Sequence, residues 1–216
     1  MNSQQVSQQL RDDGLVAIIR GDFSLSEQRT IAEALLAGGV RVLEITLNTR
    51  DALSGIGRLN ETFPGDLLVG AGTVRTADDA QRALDAGARF LIAPSLDLET
   101  VAVAQARDTL ILPGVFTATE AQTAHRAGCS MVKLFPADAL GPGYLKALRA
   151  PLDDIGFIPT GGVDPDTIGA FHAAGAVAFG VGSYLVKSVP FTPAEGEALS
   201  ARAAALRSAL QRARRA

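Results

Sequence analysis

The ten residues AGCSMVKLFP at positions 127–136 join the end of a helical pattern to a buried strand. Their Ala-Gly pair closes the helical pattern, and glycine at that point is typical of a left-handed helix C-cap. The apolar run that follows is continuous rather than alternating, which indicates a strand covered on both faces. The same pair leads into an apolar run at positions 37–38, 86–87 and 174–175, at intervals of 49, 41 and 47 residues. Each interval corresponds to two strand–helix units, so the sequence contains four similar quarters.

Working outward from this stretch, eight short apolar runs alternate with helical patterns. The runs lie at 15–20, 42–47, 67–72, 90–95, 110–116, 131–136, 156–162 and 178–182. The helical patterns include 27–36, 77–86, 99–107, 118–126 and 166–174, and the stretch 194–216 predicts the eighth helix. This alternation predicts an α/β fold with a parallel sheet, either an eightfold barrel or an open doubly wound sheet. The four quarters favour the closed (β/α)8 TIM barrel.

Composition and charge restrict the class of protein. The 216 residues are 47% hydrophobic, so we expect residues 1–216 to form a single domain, with residues 1–13 as a short helix outside the barrel. The net charge of −3 disfavours a general role on nucleic acid or a membrane surface. No apolar run is long enough to span a bilayer, and the first residues do not resemble a signal peptide. A single cysteine, Cys129, suits a reducing compartment, so we expect a cytoplasmic protein.

Lys133 is the first candidate catalytic residue. Only three of the 20 basic residues are lysines, and Lys133 is the one that lies within an apolar strand. Burial disfavours the ammonium ion and lowers its pKa, and a neutral amine in a dry pocket can attack a carbonyl group to form a Schiff base. The alternative is a lysine at a strand end that reaches solvent or pairs with a carboxylate. The apolar neighbours favour the catalytic interpretation.

Glu44 is the second candidate, in the run Val42-Leu43-Glu44-Ile45-Thr46. A buried carboxyl group titrates nearer neutrality, in the range suited to general acid–base catalysis. A structural ion pair with Arg20 or Lys133 explains this position about equally well. Glu44 follows Ala37 by seven residues and Lys133 follows Ala127 by six, which predicts a similar depth in the sheet for both.

Several residues at strand ends predict a site for an anion. Arg20 ends the first strand, where a guanidinium group suits a carboxylate or a phosphate. Thr73 places a hydroxyl group after the third strand. The glycine-containing loops 159–163 and 180–183 follow the seventh and eighth strands, the usual position of a phosphate site in such barrels.

The sequence predicts no metal site. His125 and His172 both lie in helical patterns away from the strand ends, and Cys129 precedes the sixth strand as a small packed residue. A site for a hard metal ion, built from Glu44 and another oxygen ligand, stays open as an alternative, but no cluster of ligands indicates one.

Taken together, these residues resemble the 2-keto-3-deoxy-6-phosphogluconate (KDPG) aldolase family, a group of pyruvate-dependent class I aldolases. The similarity runs from residue 16 to about residue 187 and is carried by GVRVLEITL at 39–47, GAGTV at 70–74, KLFPA at 133–137 and FIPTGGV at 157–163. It implies a (β/α)8 barrel, usually a homotrimer, that needs no metal or organic cofactor. Its substrates would be a phosphorylated keto-deoxy sugar acid and pyruvate.

The resemblance also implies a role for individual residues. Lys133 matches the Schiff-base lysine and Glu44 the general acid–base. Thr73 matches a contact to the pyruvate carboxylate, and Pro94 and Phe135 match walls of the pyruvate pocket. The side that receives the distal part of the sugar and its phosphate is matched by Thr160, Gly161, Gly162, Gly182 and Ser183.

One departure from the family pattern concerns the substrate. Many gluconate-type members have an arginine where this chain has Asn48, whereas the phosphogalactonate aldolases resemble this chain in having an arginine at the position of Arg20. We infer that Arg20 supplies the cation for the carboxylate end of the substrate. The expected reaction is the cleavage of KDPG to pyruvate and glyceraldehyde 3-phosphate. The alternatives are the galactonate epimer and dual specificity that includes 4-hydroxy-2-oxoglutarate.

Two other classes of protein fit parts of the sequence. A phosphosugar epimerase or isomerase on the same barrel would share the phosphate loops but would have no need of a buried lysine. A non-catalytic phosphate-binding barrel would leave Lys133 with an ordinary pKa.

Overall fold

The computed structural model describes residues 1–187 and 191–216, in which helices and short strands alternate. The strands are β1 (Leu15–Ile19), β2 (Val42–Thr46), β3 (Leu68–Gly72), β4 (Phe90–Ile92), β5 (Leu110–Leu112), β6 (Gly114–Val115), β7 (Met131–Leu134), β8 (Gly156–Pro159) and β9 (Phe179–Val181). The helices are α1 (Ser3–Asp13), α2 (Leu25–Ala37), α3 (Ala52–Thr62), α4 (Ala77–Asp85), α5 (Leu98–Ala106), α6 (Ala118–Arg126), α7 (Gly141–Arg149), α8 (Ile168–Ala173) and α9 (Pro193–Arg215).

All the strand pairs are parallel, and they form two sheets. The larger sheet has the order β5-β4-β3-β2-β1-β9, and the smaller one has the order β6-β7-β8. The run predicted as one strand at 110–116 is divided at Pro113 into β5 of the larger sheet and β6 of the smaller. At their other edges, the larger sheet ends in β9 and the smaller sheet ends in β8. An isolated parallel bridge between Thr160 and Gly180 joins these two edges. The chain therefore has the predicted α/β fold with parallel strands.

The two sheets share one buried inner face. Successive residues of a strand point to opposite sides of the sheet, so one residue per strand is enough to mark this face. The inner face is marked by Val16, Val42, Leu68, Met131 and Ile158. They belong to one cluster of buried apolar side chains that draws on both sheets. Val6 and Leu10 of α1 belong to the same cluster, so the N-terminal helix packs against the inner core.

The outer faces of the strands carry the second and larger cluster, which they share with the surrounding helices. Ile19 and Ile45 from the strands, for example, belong to it together with Ile31 and Leu35 of α2. Burial on both faces explains why the strands are apolar throughout rather than alternating.

The Ala-Gly repeat is confirmed at three positions and shifted by one residue at the fourth. Gly87, Gly128 and Gly175 have left-handed φ angles of 93°, 91° and 94°. In the first repeat Gly38 has a φ of −80°, and the left-handed residue is Gly39, with a φ of 84°. The prediction of a left-handed Gly38 was therefore wrong, because α2 extends through Ala37 and its cap follows one residue later.

Helices α3 and α7 were not among the patterns picked out from the sequence. Helix α3 contains Gly55 and Gly57, and α7 begins with Gly141, Pro142 and Gly143, so both have low helix propensity. Within the described residues, no helix is long and apolar enough to cross a membrane.

Candidate active site

Glu44 and Lys133 lie at the same depth on the inner face. Each is the third residue of its strand, and each comes five residues after the left-handed glycine that ends the preceding helix, Gly39 or Gly128. Each also lies two residues beyond a member of the inner cluster, so both side chains point to that side. The predicted similar depth is confirmed, and the apparent offset of one residue came from the shifted cap.

Lys133 is buried, with only 4% of its surface exposed. Burial lowers the pKa of its ammonium group, and the charge of Arg20 lowers it further, whereas the charge of Glu44 acts in the opposite direction. Its Nζ atom lies 4.9 Å from the centroid of the Phe135 ring. The amine is therefore held in a largely apolar environment that favours its neutral, nucleophilic form.

Glu44 is 1% exposed, and neither of its carboxylate oxygens has a hydrogen-bond partner among residues 1–187 and 191–216. Burial raises the pKa of this carboxyl group, and the charges of Lys133 and Arg20 oppose the shift. Within the described part of the chain, no hydrogen bond joins the Glu44 carboxylate to Lys133 or Arg20, the two partners considered for a structural ion pair, although the charges of both act on it. A buried, unpaired carboxyl group is free to exchange a proton with a bound molecule.

Gly72 provides the space that the Glu44 carboxylate occupies. A Cβ atom at this position would lie 2.5 Å from Glu44 Cδ, which no side chain could tolerate without displacing the carboxylate. Gly72 ends β3, next to β2. The sequence showed a glycine-rich strand end here but not that one of its glycines faces Glu44.

A cavity of about 430 Å³ opens nearby, although neither Lys133 nor Glu44 is among the residues that line it. It brings together seven of the predicted binding residues: Arg20, Phe135, Thr160, Gly161, Gly162, Gly182 and Ser183. Phe135 connects the cavity with Lys133, and Ile18 of its lining is the register partner of Glu44 on β1. The predicted catalytic pair and the predicted anion loops are thus neighbours.

Arg20 is the cation of this cavity. It is exposed, and no carboxylate within the described ranges forms an ion pair with it, in contrast to Arg50, which pairs with Asp22 at 2.9 Å. An arginine that lines a cavity without a protein partner can bind an anionic group of a ligand.

The loops after β8 and β9 form another part of the cavity wall. Gly161 and Gly162 have positive φ angles of 104° and 66°, so glycine is the residue that fits this backbone. Thr160 is 6% exposed, and its side chain fills the space that a Cβ atom of Gly180 would take. Gly180 therefore allows the Thr160 hydroxyl group to lie at the cavity wall.

Thr73 and Pro94 are not part of the cavity lining. Thr73 follows β3 with a φ of 58°, an unusual conformation for a β-branched residue. Pro94 follows β4, and its backbone carbonyl lies so close to Gly114 that a side chain at residue 114 would collide with it. Both residues stand at the ends of strands on the side where the cavity opens.

Sequence reasoning missed four residues of the lining, which are Ile18, Asp164, Tyr184 and Val186. Val163 and Gly180 also line the cavity, and they lie within the predicted loops 159–163 and 180–183. Asp164 and Tyr184 each follow a predicted glycine loop, and this adjacency was the signal that could have identified them.

The remaining candidates lie where the sequence placed them. His125 is in α6, 3.1 Å from Asp154, and His172 is in α8. Cys129 is buried, which raises the pKa of its thiol to about 11. Among the residues that the structure describes, no three potential His, Cys, Asp or Glu ligands form a cluster suited to a metal ion.

Comparison with known proteins identifies the family. A family model described as KDPG and KHG aldolase matches residues 6–196, and the chain belongs to this family. A probable 2-dehydro-3-deoxy-6-phosphogalactonate aldolase of Rhizobium meliloti is 37% identical over 174 residues, 80% of this chain and 82% of that protein. A 2-dehydro-3-deoxy-phosphogluconate aldolase of Treponema pallidum is 37% identical over 157 residues, 72% of this chain and 74% of that protein.

A solved structure agrees with this assignment. The KDPG aldolase of Legionella pneumophila, with pyruvate captured as a covalent carbinolamine, superposes with a TM-score of 0.81 at 30% identity, covering 89% of this chain and 93% of that one. The chain is accordingly an aldolase, a carbon–carbon lyase, and the epimerase and non-catalytic alternatives are set aside.

Proposed function

We propose that this protein is a Schiff-base aldolase that cleaves KDPG to pyruvate and glyceraldehyde 3-phosphate. The observation that carries the proposal is the buried Lys133 amine with its lowered pKa, beside a buried and unpaired Glu44. The carbinolamine formed with pyruvate in the related Legionella pneumophila enzyme supports the same covalent chemistry here.

In the proposed mechanism the neutral Lys133 amine attacks the C2 ketone, and loss of water gives an iminium ion that accepts electrons. Glu44, directly or through a water molecule, removes the proton of the C4 hydroxyl group. The C3–C4 bond then breaks and releases glyceraldehyde 3-phosphate. The remaining enamine takes a proton at C3, and hydrolysis of the imine frees pyruvate and restores the amine.

The charges of the substrate guide its placement. Arg20 is the proposed partner of the carboxylate end, and the loops with Gly161, Gly162 and Ser183 are the proposed receivers of the distal phosphate. The cavity that contains all four residues supports this arrangement. Thr73, Pro94 and Phe135 are the proposed contacts for the pyruvate part.

The galactonate epimer is the second candidate substrate. It is favoured by the cation at Arg20 in combination with the neutral, exposed Asn48. The relatives bear both names, one a phosphogalactonate and the other a phosphogluconate aldolase. Activity on 4-hydroxy-2-oxoglutarate is a further possibility to be measured alongside them.

We also propose that the two sheets close into one (β/α)8 barrel. Pro113 alone separates β5 from β6, which would then be one bent strand. The bridge between Thr160 and Gly180 and the inner cluster common to both sheets support the closure. A homotrimer without a cofactor, in the cytoplasm, is expected from the family resemblance, and light scattering of the purified protein would test the trimer.

Borohydride trapping tests the proposed chemistry. Reduction in the presence of pyruvate should attach a three-carbon adduct to Lys133, which mass spectrometry of peptides would locate. Lys133→Ala should abolish both the adduct and turnover, whereas Lys146→Ala, which alters an exposed lysine of α7, should change neither. Near-normal activity of Lys133→Ala would refute the assignment. The ratio of kcat/KM for the two epimers then decides the substrate preference.

A further inference from the structure

We propose that Thr49 is a positioning residue for Arg20. The proposal rests on the function above, because it assigns a support to the cation that binds the substrate. Thr49 follows β2, and Arg20 follows β1. The two residues belong to neighbouring loops at the same end of the sheet.

The Thr49 hydroxyl group contacts the backbone on both sides of Arg20. It donates a hydrogen bond to the carbonyl oxygen of Ile19 at 3.1 Å and accepts one from the amide of Gly21 at 3.4 Å. The residue between these two contacts is Arg20. One hydroxyl group therefore fixes both peptide units from which the arginine side chain extends.

Thr46 completes the arrangement. Its hydroxyl oxygen lies 3.0 Å from that of Thr49 and 3.3 Å from the Ile19 carbonyl oxygen. The two hydroxyl groups and the Ile19 carbonyl oxygen thus form one small hydrogen-bonded cluster. Thr46 and Thr49 are 0% and 5% exposed, so these bonds are shielded from water.

The two loops are joined at further points. Gln28, which is fully buried, donates hydrogen bonds to the carbonyl oxygens of Phe23 at 3.0 Å and of Arg50 at 2.7 Å. The Arg50 amide donates to the Gly21 carbonyl oxygen at 3.4 Å. These bonds hold the β1–α2 and β2–α3 loops as one unit, and Thr49 is the member that contacts the backbone beside Arg20.

The consequence concerns binding rather than bond cleavage. Arg20 is exposed and has no carboxylate partner in the described part of the chain, so only its backbone restrains it before substrate arrives. A fixed backbone reduces the conformational freedom that the side chain loses on binding an anion. Loss of the Thr49 hydroxyl group should weaken substrate binding while leaving the reacting groups in place.

Thr49→Val tests the proposal because it removes the hydroxyl group and keeps the branched shape. We expect KM for the phosphorylated substrate to rise about fivefold, the effect of one neutral hydrogen bond, with kcat nearly unchanged. Thr49→Ser should restore KM. Thr100→Val is the matched control, since Thr100 is equally buried in α5 and its hydroxyl group donates to Asp97.

A double-mutant cycle with Arg20→Gln isolates the coupling. If Thr49 acts through Arg20, Thr49→Val adds no further increase in KM in the Arg20→Gln background. An equal increase in both backgrounds, or a Thr49→Val protein with unchanged KM, overturns the proposal. Thr49→Ala provides the same comparison if the valine variant does not fold. Absence of the borohydride adduct in the unaltered protein would instead contradict the proposed function itself.

Discussion

Gly72 and the Glu44 carboxylate are in direct contact across neighbouring strands, and a Cβ atom at residue 72 would overlap the position of that carboxylate. Glu44 is the register partner of Gly70, so its side chain extends along β3 toward Gly72. The position of the Glu44 carboxylate, the proposed acid–base group, thus requires a residue without a side chain at position 72 of the neighbouring strand.

Gly72→Ala should therefore reduce kcat/KM strongly, by about 100-fold, because the added methyl group displaces Glu44, the proposed general acid–base. Steady-state kinetics with the preferred substrate epimer would measure this fall in kcat/KM. Gly143→Ala is the control, since a Cβ atom there meets nothing within 4 Å. Equal activity of the two variants would show that Glu44 does not need its present position.

Glu44→Gln should separate imine formation from bond cleavage. The glutamine side chain has nearly the same shape but cannot accept the C4 hydroxyl proton, so cleavage should fall about 10²–10⁴-fold. The Lys133 amine remains, and borohydride should still trap pyruvate on it. Loss of the adduct along with cleavage would assign Glu44 to imine formation instead.

The same variant should be more stable than the unaltered protein at neutral pH. Burial raises the pKa of Glu44 above its ordinary 4.5, so the folded protein holds this proton more tightly than the unfolded chain does. The stability contributed by Glu44 consequently falls as the pH rises above 4.5. Glu44→Gln removes this dependence, and its Tm should exceed that of the unaltered protein at neutral pH.

Thermal unfolding at a series of pH values would check the direction in which the Tm difference between Glu44→Gln and the unaltered protein changes with pH. The difference in Tm should shrink as the pH falls toward 4.5, where the carboxyl group of the unaltered protein is protonated. A difference that is independent of pH would mean that the ionised carboxylate is not the source of the instability.

Imine formation should depend on pH through the lysine. Burial lowers the pKa of Lys133 below the ordinary 10.5, and only the neutral amine attacks the ketone. At saturating pyruvate the trapping rate should rise with pH and reach its plateau below that value. A trapping rate that rises only above pH 10.5 would contradict the effect of burial.

Cys129 should report on unfolding. Its burial raises the thiol pKa to about 11, so the folded protein contains almost no thiolate at neutral pH. A disulfide exchange reagent should therefore label Cys129 only in denaturant, with one thiol released per chain. Rapid labelling of the native protein would show that the segment before β7 opens readily.

The parallel strands and the depth of the proposed catalytic pair could be predicted from the sequence, because burial on both faces leaves continuous apolar runs in which Lys133 and Glu44 are conspicuous. Most boundaries agree within one or two residues. The division at Pro113 could not be predicted, since it depends on which neighbouring strand each half pairs with.

Contacts between residues far apart in the sequence could not be predicted either. That Gly72 faces Glu44, or that Thr49 contacts the backbone beside Arg20, depends on register across strands and on side-chain direction. The sequence contains glycine and threonine at these positions but not their partners. A residue that leaves room for another side chain, or that binds the backbone of a neighbouring loop, has no sequence pattern around it that indicates this role.

Helix α1 contributes no side chain to the proposed chemistry, yet it bears on it. Val6 and Leu10 cover the inner core from below, and the Ser7 hydroxyl group lies 3.9 Å from the sulfur of Met131, two residues before Lys133. We expect this helix to limit the access of water to the inner core next to the proposed Schiff-base lysine. The low polarity that the proposed chemistry requires would then depend in part on the first turns of the chain, a segment that contributes no residue to the cavity lining.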